Sequence, residues 1–313
     1  MALPRKTIFI LLAFFAIYVI WGATYLLNKI AVTQISPLFL ASIRFITAGL
    51  IIFFIAKSMK LSLAINRRQL VNCIIAGFLF LVYGNGVFVW ALKYVDSGFG
   101  ALEASIQPLI VLILMRMIDG KKVKTSSIIG IVLGVIGMYL LVSQKQLVYQ
   151  ENSTIGIIMI FTCVLSWSFG SLFVARAELP SNFFGNTGYQ MFFAGIMLFI
   201  ASFLIGEEWL SPFAWTTSVK ISMGLLIVFG SIVAFTAFNF LLKTVSTEKV
   251  ATSSLVNPVI AMVLGWYVLD EQITTQSIIA SAILLTGVYF INSKRELKKP
   301  FRKILNKGMK RGM

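Results

Sequence analysis

The chain has 313 residues, of which 58% are hydrophobic and only 12% charged, and its mean hydropathy is +0.92. A soluble domain carries about a quarter charged residues; here apolar runs long enough to cross a bilayer recur along the whole length, which excludes one large soluble core. The formal net charge of +16 lies mostly in alternate loops and in a basic tail, Lys294–Arg311, a pattern that fits anionic lipid headgroups and not nucleic acid.

In chain order, ten spanning segments are predicted: Ile8–Asn28, Leu38–Ala56, Leu70–Leu92, Ser97–Ile118, Thr125–Ser143, Thr154–Ala177, Phe183–Gly206, Val219–Leu242, Thr247–Leu269 and Gln276–Asn292. Each is near the roughly 20 residues needed to cross the hydrocarbon. They must be helices, because a lipid-exposed backbone has to satisfy its own hydrogen bonds. Arg5 and Lys6 before Ile8–Ile20 look like the start of a signal peptide, but the apolar run is long and lacks a small-residue cleavage end. It is read as the first spanning helix.

A repeat organises these segments. Ala91–Leu141 aligns without a gap on Leu241–Ile291, with Lys93 on Lys243, Pro108 on Pro258, Gly137 on Gly287 and Tyr139 on Tyr289. With a slightly different shift, Trp21 falls on Trp167 and Ala48-Gly49 on Ala194-Gly195. Lys121 and Lys122, however, fall opposite Glu271 and Gln272. Basic residues favour the cytoplasmic side of a membrane, and five crossings per half invert the second copy relative to the first. Inverted repeats around a central site are common in secondary transporters. The expected division is a first five-helix repeat at 1–146, a second at 147–293 and a basic cytoplasmic tail at 294–313. The loop charges place both termini in the cytoplasm and the chain in the cytoplasmic (inner) membrane as a multi-pass protein. In the longest outer connection, Glu207–Lys220, the aromatic residues Trp209, Phe213 and Trp215 are expected to anchor at the interface.

The stretches WGATYLLNKIAV at Trp21–Val32, SPLFLASIRFITAGLI at Ser36–Ile51 and SIQPLIVLILMRMIDGKKVKTSSIIGIVLGVIGMYLL at Ser105–Leu141, repeated in pattern at Asn257–Ile291, resemble the drug/metabolite transporter superfamily of the EamA type. The resemblance covers nearly the whole chain. It implies ten helices in an inverted five-plus-five repeat, and export or exchange of small metabolites through a central cavity. One departure is visible. The acidic turn usual after the fourth helix is present in the second half as Asp270-Glu271, but the first half has Gly120-Lys121-Lys122.

Candidate site residues are those too polar for their depth. Glu103 lies about two turns into the fourth segment, where a carboxylate costs about 2.5–3.5 kcal/mol. It is read either as a coupling group or ammonium ligand, or as a structural or vestibule residue. Arg44 lies at matching depth in the second segment, so Glu103 and Arg44 form a candidate coupling or gate pair, or a structural one. The repeat counterpart of Arg44 is Gln190. Gln107-Pro108 and Asn257-Pro258 are symmetric, and each proline is expected to kink its helix and free a carbonyl. Glu103 with Gln107, and Ser253 with Asn257, are four apart and share a face. Tyr83-Gly84-Asn85-Gly86 interrupts the third segment, Asn239 is a further mid-membrane amide, and Trp21 and Trp167 sit too deep for an interfacial belt. Tyr25, Asn28 and Ser171 extend the polar set. The expected substrate cavity is therefore walled by Trp21, Tyr25, Asn85, Glu103, Gln107, Trp167, Asn239 and Asn257, whereas Gly130, Gly134 and Gly137 are read as packing.

The chain has no histidine, no CxxC motif and no Walker A loop, and its two cysteines, Cys73 and Cys163, lie inside apolar runs. A His-based metal site, a Ser-His-Asp triad and ATP-driven pumping are thereby excluded, and neither a cofactor nor a metal nor enzymatic activity is expected. The expectation is a monomeric secondary transporter among membrane lipids that exports a small polar or amphipathic, amino-acid-like metabolite by alternating access. An exchanger of a phosphorylated or nucleotide-linked metabolite would need several cavity cations, and Arg44 is the single candidate. A channel or lipid scramblase is a third class and would need a lipid-facing polar groove.

Overall fold

The computed structural model describes residues 5–95, 100–101, 104–120, 124–143, 153–269 and 274–292. Their helices are α1 (Arg5–Val32), α2 (Pro37–Ser58), α3 (Arg67–Ala91), α4 (Gln107–Asp119), α5 (Thr125–Val142), α6 (Ser153–Arg176), α7 (Phe183–Leu204), α8 (Thr217–Thr244), α9 (Thr247–Val268) and α10 (Thr275–Asn292). No strand occurs among the described residues. Seven helices are long and apolar enough to cross a membrane: α1, α2, α3, α6, α7, α8 and α9. The apolar stretches of α4, α5 and α10 are shorter.

Local sequence sets the helix ends. Asn66 and Gln69 form a reciprocal capping box at the start of α3, and Asn182 caps α7 by accepting from the N–H of Phe184. At the end of α4 the chain turns at Gly120 with φ +63°, a left-handed conformation that glycine adopts without steric penalty. Helical backbone at Ala104 is broken by a turn at Ser105-Ile106, and Pro108 follows directly after the break. It sits in the first turn of α4, where its missing N–H would have had no intrahelical partner. Pro258 does lie inside α9, and the regular turns of that rod are broken earlier, at Thr252.

Helices pack across the two halves. The backbones of α2 and α7 approach so closely that a Cβ on Gly195 would lie 2.7 Å from the amide nitrogen of Ile46. Likewise, a Cβ on Gly130 of α5 would lie 2.5 Å from the carbonyl of Gly287 of α10. Small residues permit the close contact on which helix association in lipid depends. The first helix of each half packs on the other half: α1 against α8 and α9, α6 against α3 and α4.

Polar ties close both ends of the bundle. At the end where α1 begins, the loop before α3 meets the loop between α6 and α7. There Asn66 donates to the Glu178 carboxylate at 3.0 Å, Asn72 to the Glu178 carbonyl at 2.9 Å, and Arg68 lies 3.6 Å from Glu178. At the opposite end, the start of α2 meets the loop between α7 and α8. The Glu207 carboxylate accepts from the N–H groups of Leu38 and Phe39 at 3.1 and 2.8 Å, and Gln34 accepts from the N–H of Thr216 at 3.0 Å. In that loop Phe213 is 93% exposed, but Trp215, expected at the interface, is buried and donates to the Leu210 carbonyl.

Three helices contain π-helical stretches: Ala16–Ile20 in α1, Phe78–Val87 in α3 and Leu226–Val233 in α8. Such stretches disturb the regular backbone ladder and are frequent at functional sites. Side chains of neighbouring helices bond their carbonyls. Trp21 donates through Nε1 to Gly230 at 3.1 Å, Ser166 to Leu79 at 2.8 Å and Cys163 to Tyr83 at 3.3 Å. With its amide nitrogen turned toward α1, Asn257 donates to Ile17 and Tyr18 at 3.1 and 3.0 Å.

Candidate substrate cavity

The π stretches of α3 and α8 border an internal cavity with a volume of about 100 Å³. Its walls come from both halves: Trp21, Thr24, Tyr25 and Asn28 on α1, Arg44 and Phe45 on α2, and Leu81, Gly84, Asn85 and Phe88 on α3. Across from them stand Gln107, Val164, Trp167, Met191, Gly230, Ser231, Phe235, Ser253, Ser254 and Asn257. The lining is amphipathic, with aromatic faces interleaved with amides, hydroxyls and one guanidinium.

Arg44 is 3% exposed. Its Nε donates to the Ser231 hydroxyl at 2.7 Å and its Nη1 to the Asn28 amide oxygen at 3.4 Å, and its guanidinium lies 5.0 Å from the Phe45 ring centroid. All these partners are neutral. An arginine offers five donors in a planar fork, suited to a carboxylate. Asn85 also lines the cavity, and its amide oxygen is buried and accepts no hydrogen bond. Asn257 lines it too, while its amide nitrogen holds α1.

On one side the cavity ends in packed aromatic rings. Trp21 and Trp167 meet edge to face at 5.6 Å, and Phe238 lies 5.0 Å from Trp21 and 5.7 Å from Trp167. Phe80 packs on Trp167 at 5.0 Å and on Phe238 at 5.3 Å. Such pairs each contribute about 0.5–1.5 kcal/mol beyond area burial. Phe80 and Phe238 are fully buried, so these rings form a dry floor.

Of the residues expected to wall the cavity, Trp21, Tyr25, Asn85, Gln107, Trp167 and Asn257 lie along it, and so does Arg44. Glu103 lies outside the described residues. Asn239 is elsewhere: it accepts from Gln190 at 3.3 Å and donates to Thr187 at 3.4 Å on the far side of the floor. Ser171 turns back onto its own helix and donates to the Trp167 carbonyl. Sequence reasoning passed over Thr24, Phe45, Ser231 and Ser254. A serine beside Gly230, matching the glycine-rich interruption of α3, was the available signal for Ser231.

A multi-pass helical membrane protein built around a small amphipathic cavity belongs to the class of integral membrane transporters. The EamA-like transporter family model matches residues 8–143 and again 154–293, and the chain belongs to that family. It is 33% identical over 282 residues to an Escherichia coli (strain K12) protein described as an uncharacterized inner membrane transporter, YedA, with 89% of each chain covered. It is 23% identical to an E. coli (strain K12) protein described as a probable amino-acid metabolite efflux pump, covering 87% of this chain and 91% of that protein. A solved crystal structure with 16% sequence identity superimposes with a TM-score of 0.72 over 92% of this chain and 97% of the other, which shows a shared fold.

Proposed function

We propose that the protein is a secondary transporter that exports a small, amino-acid-like zwitterion across the cytoplasmic membrane by alternating access. One observation carries this reading: the same cavity holds a buried cation with neutral partners, Arg44, and an unpartnered buried acceptor, Asn85 Oδ1. A carboxylate fits the first, an ammonium fits the second, and the surrounding rings accept an apolar side chain. Size agrees. Drug-sized ligands occupy pockets of about 300–1,000 Å³, whereas about 100 Å³ suits a much smaller solute. The name of the efflux-pump relative points the same way.

In this reading the chain crosses the membrane ten times as two inverted five-helix repeats, 1–146 and 147–293, with both termini and the tail 294–313 in the cytoplasm. The crossed packing of α1 and α6, and the matched ties at the two ends, support it. Glu103 is the proposed coupling group. A phosphorylated substrate is disfavoured, because Arg44 is the one cation among the described lining residues.

The test is a solute screen in proteoliposomes, with and without a pH gradient, on wild type, Arg44→Gln and Asn85→Ala. An amino-acid-like solute should move in the wild type. Arg44→Gln should lower its apparent affinity at least tenfold, and Asn85→Ala by a smaller factor. A wild-type protein that moves sugar phosphates and no zwitterion would defeat the substrate assignment.

A further inference from the structure

Below the aromatic floor lies a second polar group that the cavity does not reach. Gln190 Nε2 donates to Asn186 at 2.8 Å and to Asn239 at 3.3 Å, Asn239 donates to Thr187 at 3.4 Å, and the Cys73 thiol reaches Asn186 at 3.6 Å. All five side chains are essentially inaccessible. The amide oxygen of Gln190 has no hydrogen-bond partner. A buried unsatisfied polar group is costly and rare in folded proteins.

Two further observations point to a solute path. Gln190 is the repeat counterpart of Arg44, the cation of the cavity above the floor. The cluster also lies between the floor and one end of the bundle. Asn239 follows Phe238 of the floor, and Gln190 is seven residues, about 10 Å, from the first residue of α7. That end is held by the exposed tie of Arg68 and Asn66 to Glu178.

We propose that Asn186, Gln190 and Asn239 form the second station of the solute pathway, closed in this conformation, which opens toward the end where α1 begins when the aromatic rings part. This rests on the transport reading above. The station takes the same small polar solute, but by neutral amides in place of a guanidinium. It therefore holds a carboxylate more weakly than the Arg44 side does.

The chain carries its own reporters. Its two cysteines, both buried, fall one in each place: Cys163 is among the residues around the Arg44 cavity, and Cys73 belongs to the closed cluster. Full-length protein in proteoliposomes is treated from either side with a small membrane-impermeant methanethiosulfonate, and peptide mass spectrometry locates the modification. Cys73 should react from one side and Cys163 from the other. Glu178→Ala, which loosens the tie at the Cys73 end, should speed Cys73 modification at least threefold and slow that of Cys163. Cys73 unreactive from both sides in both proteins, while solute flux continues, would make the cluster a static tie and overturn the proposal without touching the transport reading. Reciprocal cysteine reactivity in a protein that moves no solute would sustain the opening and defeat the transport reading instead. Gln190→Leu should raise KM at least threefold for solute offered on the Cys73 side; an unchanged KM would overturn the lining role.

Discussion

The two ends of the bundle are tied by corresponding parts with different chemistry. At one end, a side chain of the loop between α1 and α2, Gln34, bonds the residue that precedes α8. At the other, a side chain of the loop between α6 and α7, Glu178, bonds the residue that precedes α3. The Gln34 end is reinforced by Glu207. That carboxylate sits on the first N–H groups of α2, where the helix dipole favours negative charge, and it also accepts from Ser202 at 2.7 Å. Trp209 covers it, stacked on Phe39 at 5.3 Å and donating to Ser202. The Glu178 end has a solvent-exposed ion pair, with side chains 80% and 45% accessible. An exposed pair contributes little, whereas a carboxylate on otherwise unpaired helix N–H groups contributes more. In this conformation, the tie that parts more easily is the one at the end of the closed amide cluster.

Breaking the stronger tie gives the largest expected change. Glu207→Ala leaves two helix N–H groups without their acceptor and should lower stability by about 2 kcal/mol. Thermal unfolding of the purified protein in detergent would show it as a clear drop in midpoint. Glu207→Gln, which keeps an acceptor oxygen, should recover part of the loss. A midpoint unchanged in Glu207→Ala would remove the asymmetry between the ends. A smaller effect is expected of Asn66→Ala at the other end. It deletes the capping box of α3 together with a bond to Glu178, at a cost of about 1 kcal/mol. If Asn66→Ala proved the more destabilising of the two, the order of the ties would be reversed.

The helices were legible in the sequence because an apolar run of bilayer length rarely occurs outside a spanning helix. Much of the cavity was legible too, because Trp21, Asn85, Gln107, Trp167 and Asn257 are conspicuous in an apolar context, and the structure sets them around one space. What stayed hidden depends on neighbours. The π stretches have no composition of their own; Trp21, Ser166, Cys163 and Asn257 satisfy their carbonyls from other helices. Asn239 resembles a cavity amide by depth, and only packing against α7 decides that it faces Gln190 and Thr187. Trp215 resembles a belt residue by position, yet its ring packs beneath the loop with Ile35 and Val219 around it.

The smallest expected stability effect belongs to the exposed pair itself, and it is the most informative about the cycle. Glu178→Gln removes the charge facing Arg68 but keeps an oxygen that can accept from Asn66. Exposed pairs are typically worth below about 1 kcal/mol, so the unfolding midpoint should shift by little. Salt should act in the same direction, since raising ionic strength from about 0.1 to 1 M shortens the screening length from about 10 to 3 Å. If the pair helps hold that end shut, the Cys73 modification rate in wild type should rise with salt. In Glu178→Gln it should start higher and respond less, because the charge that salt screens is already gone. A salt response equal in the two proteins would mean that another contact holds the end closed. The comparison between the ends would then rest on Glu207 alone.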